Sequence, residues 1–188
     1  MPETNVEIKI LKQDVDFPVD PSTVDNVIFA ENSNKLTSVS QIVLSGKYNR
    51  TYNVLTYFFV PKLCRVLVDG DLLIFCTFSE LVVVDLKQDK VIKSVDFDCY
   101  QLFEIAKFKS GYIIHGEGEI RFLSRVFDVV WEGHCADIFA NIIAEKDFEV
   151  FEDYVVAIDW NGYKHYYNES GEYKIEYCPK YDPYKNGK

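Results

Sequence analysis

The chain has 188 residues, 48% of them apolar and 15% aromatic, with 14 Phe, 13 Tyr and 2 Trp. That is enough apolar surface for a sizeable core, which excludes wholesale disorder. Thirty acidic residues against 20 basic ones give a formal charge of −10, which argues against a nucleic-acid or anionic-membrane surface.

The N-terminal residues Met1 to Glu7 lack a basic stretch followed by an apolar one, so no secretory signal is expected. No apolar run approaches the ~18 residues of a membrane span. The cysteines Cys64, Cys76, Cys99, Cys135 and Cys178 are odd in number, widely spaced and free of any C-x-x-C pair. Reduced thiols in a cytoplasm are the expectation.

In chain order, Val6, Ile8 and Ile10 alternate with Glu7 and Lys9, which predicts a short strand. Asp14 to Pro21 is rich in turn-forming acids and prolines. Val27 to Ala30 is a short apolar segment that one helical turn from Val24 also fits, and Asn32 to Ser40 reads as a polar loop. Residues 1–40 are therefore read as an arm packed on the body, a candidate cover for an open sheet edge. Val54 to Val60 fits a buried strand, and residues 42–60 supply part of a sheet unit.

A repeat follows. Lys62–Val68, Leu72–Phe78, Leu81–Leu86 and Val91–Val95 read as strands, with turns at Asp69-Gly70 and Lys87–Lys90. Phe103–Phe108, Tyr112–His115, Ile120–Leu123 and Val129–Trp131 repeat the pattern around turns at Ser110-Gly111 and Gly116–Gly118. A third unit comprises Phe148–Phe151, Tyr154–Ile158, Tyr163–Tyr167 and Tyr173–Tyr177, with turns at Glu152-Asp153, Asn161-Gly162 and Asn168–Gly171. Gly70 to Gly111 is 41 positions and Gly111 to Asp153 is 42. Four strands per unit at a period of ~40–45 residues is propeller-blade spacing.

The expected fold is all-β: antiparallel four-stranded meander units in a partial or open propeller-like arrangement. The expected organisation is an arm at 1–40, a β-repeat domain at 41–178 and a tail at 179–188. Between the second and third units, Glu132 to Lys146 carries Ala136, Ile138, Phe139, Ile142 and Ile143. A strand fits the repeat phase there better than a helical turn does.

Candidate chemistry is sparse. His115, Glu117 and Glu119 alternate and would share one face of a straight strand as metal ligands. Gly116 and Gly118 favour a turn, which breaks that alignment. His134, Cys135 and Asp137 cluster, but neighbouring strand residues point to opposite faces, so Cys135 reads as a buried thiol beside a surface imidazole. His165 falls among Tyr163, Tyr166 and Tyr167 and reads as the solvent face of a tyrosine-rich outer strand. There is no G-x-G-x-x-G after a strand, no Walker A loop, no H-E-x-x-H and no G-x-S-x-G, so no catalytic residue, metal or cofactor is expected.

Acids supply the remaining signal. Glu145, Asp147 and Glu149 alternate with Lys146, Phe148 and Val150, which on a strand places three carboxylates on one face. With Glu152 and Asp153 they form the candidate contact set for a basic partner. Asp14, Asp16, Asp20 and Asp25 make a second acidic run.

The segment Gly111 to Ile120, followed by Trp131 and by Asp137-Ile138-Phe139-Ala140, resembles a pattern in small bacterial β-rich proteins. Some of those are similar to immunity proteins of contact-dependent or polymorphic toxin systems. The resemblance extends over about residues 60–177. It departs after Leu123, where Ser124 to Asp128 stands in place of an Asp-x-x-Gly turn, and it carries over no functional residue. It implies a bacterial cytoplasmic protein with a protein partner. The function expected is that of a non-enzymatic acidic binding protein for a basic protein, a toxin being the candidate. A metal-dependent hydrolase and a structural subunit of an assembly are the rival readings, and the oligomeric state is open.

Overall fold

A computed structural model describes residues 4–13, 19–31, 36–57, 66–97 and 101–186. The described residues form four four-stranded sheets. The chain divides into two compact units, Met1–Cys99 and Tyr100–Lys188, each containing two sheets. No helix among the described residues is long and apolar enough to cross a membrane. Cys76 is buried and Cys135 and Cys178 are free thiols, whereas Cys64, Cys99, Asp14, Asp16 and most of the expected Lys62–Val68 strand lie outside the described residues.

In the first unit, β1 (Asn5–Gln13), β2 (Val27–Ala30), β3 (Ser38–Ser45) and β4 (Arg50–Thr56) make one sheet in the order β1-β3-β4-β2. This is not a meander. β1 pairs antiparallel with β3, and β2 pairs parallel with β4, so the segment read as an arm supplies two strands to a sheet. Val27 to Ala30 is extended rather than helical, and the helical turn falls earlier, as a 3-10 turn at Pro21–Thr23 capped by the Asp20 carboxylate. The polar loop expected to reach Ser40 ends before Ser38, where β3 begins.

The second sheet is a true meander of β5 (Val66–Asp69), β6 (Leu72–Cys76), β7 (Glu80–Asp85) and β8 (Lys90–Asp96). Gly70 has φ +66° in the turn between β5 and β6, a conformation only glycine adopts without strain.

Ile42, Leu44, Tyr52 and Val54 of the first sheet pack on Leu73, Phe75, Val82 and Val84 of the second. Fully burying each such side chain contributes about 1.5–3 kcal/mol. Polar staples tie the turns of these sheets: the Asp71 carboxylate accepts from Lys47 (2.5 Å), from the Tyr48 hydroxyl (2.5 Å) and from Lys87. Glu31 accepts backbone N–H bonds from Tyr57 (2.7 Å) and Phe78 (3.3 Å). The opposite face of the first sheet is covered at one end by Val19 and Leu36, which pack on Val39 and Leu55.

In the second unit, β9 (Leu102–Phe108), β10 (Gly111–Gly116), β11 (Glu119–Leu123) and β12 (Val129–His134) form the third sheet, a meander. The fourth sheet is a meander of β13 (Phe148–Val150), β14 (Val155–Ile158), β15 (Tyr163–Tyr167) and β16 (Tyr173–Tyr177), followed by a one-turn helix α1 (Pro183–Asn186).

After Leu123, Ser124 replaces the Asp of the usual turn. Its hydroxyl accepts from the N–H groups of Val126 (3.3 Å) and Asp128 (3.2 Å). Phe127 closes this turn at φ 64°, buried and stacked on Tyr112 at 5.0 Å between ring centres. Gly111 is obligatory for a different reason: a Cβ there would lie 1.9 Å from the Leu123 carbonyl oxygen.

Residues 135–147 form neither the expected strand nor a helix; they fold as an irregular plug. Its backbone bonds are non-local: the Phe139 N–H donates to the Glu117 carbonyl (2.6 Å), and the Trp160 N–H donates to the Ile138 carbonyl (2.8 Å). Asn141 locks the plug. Its side-chain NH2 donates to the carbonyls of Asp159 (2.8 Å) and Tyr181 (2.9 Å), and its Oδ1 accepts from the N–H groups of Ile143 and Ala144, both at 3.0 Å. Phe139 is fully buried in the core shared by the third and fourth sheets, with Phe108, Ile113, Phe122, Phe148 and Val155.

Candidate functional site

The register of the fourth sheet sorts its side chains. Phe148 opposes Ala157, Val155 opposes Tyr167, and these face the core. The alternate residues make the other face. One row runs Glu149, Val156, Tyr166, Lys174, and the next runs Ile158, Lys164, Glu176.

At the end of this face the β13–β14 turn closes with the Phe151 N–H donating to the Tyr154 carbonyl at 2.9 Å. Glu152 and Asp153 occupy the tip, both exposed. Behind them the Phe151 and Tyr154 rings stack at 4.8 Å, yet remain 42% and 39% exposed. Tyr166 continues the aromatic strip, its ring centre 5.9 Å from that of Tyr154. The tip is anchored by Lys109, whose ammonium donates to Asp153 at 2.5 Å while Asp153 stays largely open to solvent. Such an exposed pair is screened by solvent and adds little to stability.

The five candidate acids do not form one row. Glu149 lies on β13, and Glu152 and Asp153 form the turn that follows. Glu145 and Asp147 lie in the plug, where the expected strand does not extend. The Asp147 carboxylate accepts from the Asn141 N–H at 3.4 Å, a role inside the plug, and Glu145 is exposed. Glu149 lies 4.0 Å from Lys146. Of the second acidic run, Asp20 is used in capping, where bonds from Ser22 hold its carboxyl below the usual range. The aromatic partners Phe151, Tyr154 and Tyr166 escape a reading based on acids alone. Their signal was a pair of rings bracketing a two-acid turn.

Two of the three imidazoles, those of His115 and His165, make buried structural contacts, and His134 is exposed at the end of β12. His115 is buried, with Nε2 2.8 Å from the Phe139 carbonyl and its ring stacked on Phe148 at 4.7 Å. Its Nδ1 lies 3.7 Å from the Glu104 carboxylate. Among the described residues no group of three or more His, Cys, Asp or Glu side chains converges on one point. His165 is buried rather than on a solvent face. Its Nε2 lies 2.9 Å from Asp159 Oδ2, and its Nδ1 lies 3.0 Å from the Tyr173 hydroxyl. In the neutral imidazole the Asp159 carboxylate takes the Nε2–H, which leaves Nδ1 to accept from Tyr173. Burial raises the Tyr173 hydroxyl above its ordinary pKa, the opposite of an activated nucleophile. Burial likewise pushes the Cys135 thiol up to about 11.

The sequence matches no protein-family model and no curated protein sequence. Its fold, however, has solved counterparts. BamB from Moraxella catarrhalis superposes with a TM-score of 0.51 at 13% identity, over 82% of this chain and 51% of BamB. The computationally designed Ika8 protein gives 0.53 at 7% identity, over 79% and 52%. The WD40 domain of Neurospora crassa Pan2 gives 0.50 at 10% identity, over 76% and 49%. The fold is therefore β-propeller-like, as the repeat predicts. The chain spans about half the length of each of these structures.

Proposed function

We propose that this chain is a protein-interaction module without catalytic chemistry, and that the acidic-aromatic hairpin of its fourth sheet contacts a basic protein. The observation that carries this reading is the exposed Phe151–Tyr154 stack beneath Glu152 and Asp153, with Glu149 on the same face. Exposed aromatic anchors supply most of the energy at interfaces, and a surrounding charge sets encounter rate and partner choice. A propeller-like scaffold supports the reading, because its loops and sheet ends present rigid surfaces. The −10 charge of the chain favours a cationic partner.

The finer reading is that the partner is a basic toxin neutralised in a bacterial cytoplasm. It is supported by the −10 charge of the chain. Acidic side chains would then compete with nucleic-acid phosphates for the lysines and arginines of the toxin.

The test is affinity capture with the full chain and with the triple variant Glu149→Lys, Glu152→Lys, Asp153→Lys. The wild-type chain is expected to retain a basic protein in a salt-sensitive manner, and the variant is expected to lose it. Retention of the same proteins by both chains removes this face from the interaction. Co-expression of the recovered partner then decides the toxin reading, through rescue of growth or its absence.

A further inference from the structure

The fourth sheet carries a cleft of about 380 Å³ at the end formed by the β15–β16 turn, lined by Tyr154, Tyr166, Asn168, Glu172, Tyr173 and Lys174. Its chemistry is that of a cation seat. Tyr154 and Tyr166 present two ring faces 5.9 Å apart between centroids. A cation already occupies one of them: the Lys174 ammonium sits 5.4 Å from the Tyr166 ring centre. An ammonium held over a phenol ring gains from the ring quadrupole, and the gain grows when the pair is desolvated. Lys174 is weakly held there. Its only ion pair among the described residues is with Glu176 at 3.6 Å, and both side chains are more than half exposed.

A carboxylate completes the seat. Glu172 lines the cleft and takes one hydrogen bond, from the Asn168 amide at 2.6 Å, with no ion pair among the described residues. The same turn is rigid, because Asn168 Oδ1 also accepts from the N–H groups of Ser170 (3.0 Å) and Glu172 (2.9 Å). The acidic tip at Glu152 and Asp153 adjoins Tyr154 in sequence and adds negative potential on the approach.

We infer that this cleft receives a lysine or arginine side chain of the protein partner, which displaces Lys174 from the Tyr166 ring and pairs with Glu172. The inference rests on the interaction reading above and names the chemical group that reading requires. Lys174 acts as a placeholder. It keeps the aromatic strip solvated and disfavours apolar partners until a second cation arrives.

The probe is N-acetyl-lysine-methylamide, followed by NMR on the full-length chain, with the norleucine analogue as the uncharged isostere. The lysine probe is expected to shift the Tyr154 and Tyr166 ring resonances saturably, and the norleucine probe is not. Lys174→Ala, which vacates the seat, is expected to tighten the lysine probe about 3-fold. Tyr166→Leu is expected to weaken it by a similar factor or more. Equal response to both probes, or no saturable shift in either wild type or Lys174→Ala, overturns the inference. Its failure is separable from that of the interaction reading. Capture lost on charge reversal with no probe binding rejects the cleft alone. Probe binding with capture unchanged by charge reversal rejects the acidic hairpin as the docking face.

Discussion

Asp159 holds three groups at once: the ring of His165, the N–H of Tyr163 at 2.9 Å and, through His165, the hydroxyl of Tyr173. It is buried, so each partner lost is a donor left without an acceptor. Asp159→Ala is expected to destabilise the fold by about 2–4 kcal/mol, read as a shift in the urea midpoint with unchanged slope. Cys135 offers a second test. With the thiol pushed from 9.0 to about 11, its thiolate fraction at pH 8 is about 100-fold below that of an unperturbed thiol. Iodoacetamide should alkylate it correspondingly slowly in the native chain and at an ordinary rate in urea. Neither Asp159 nor its partnership was legible in the sequence, because a bond from position 159 to position 165 spans a turn and leaves no local pattern.

Among the elements, the plug at residues 135–147 departs furthest from its sequence pattern. Its apolar residues resemble a helix face or a strand, yet its backbone bonds go to distant carbonyls, and Phe139 is spent on filling the gap between two sheets. Phe139→Ala is expected to cost about 3–5 kcal/mol and to raise amide exchange in β10, β13 and β15.

Most strands of the second, third and fourth sheets were legible, because short apolar runs bounded mainly by Gly, Asn or Asp turns mark them, although only Val66–Val68 of the expected Lys62–Val68 strand lies among the described residues. The first sheet was not. The parallel pairing of β2 with β4 has no turn to announce it, and the alternation in β1 fixes a strand without naming its neighbour. For the site, the turn acids Glu152 and Asp153 were legible as charge. The convergence of Phe151, Tyr154 and Tyr166 required the register.

At the scale of the whole molecule, acid is the solvent condition to which this chain is most exposed. Asp71 is held far below the ordinary carboxylate range by Lys47, Lys87 and Tyr48, and Asp182 is held below it by the Tyr177 hydroxyl. Both folded-state values lie under the unfolded ones, so their contribution is complete at neutral pH and is lost as pH falls below about 4. Asp71→Asn is therefore expected to lower the urea midpoint at pH 7, with the gap to wild type narrowing at pH 3. A gap that stays constant would show that the Asp71 staple acts through shape rather than charge.

The strand order of the first sheet also governs how the chain is made. The two outer strands, β1 and β2, leave the ribosome before either central strand exists. β1 has no partner until β3 emerges, ending at Ser45, and β2 none until β4 emerges, ending at Thr56, so both segments of this nascent stretch wait without a template. Translation speed through that stretch, and any chaperone that shields it, thus become part of the folding programme of this protein.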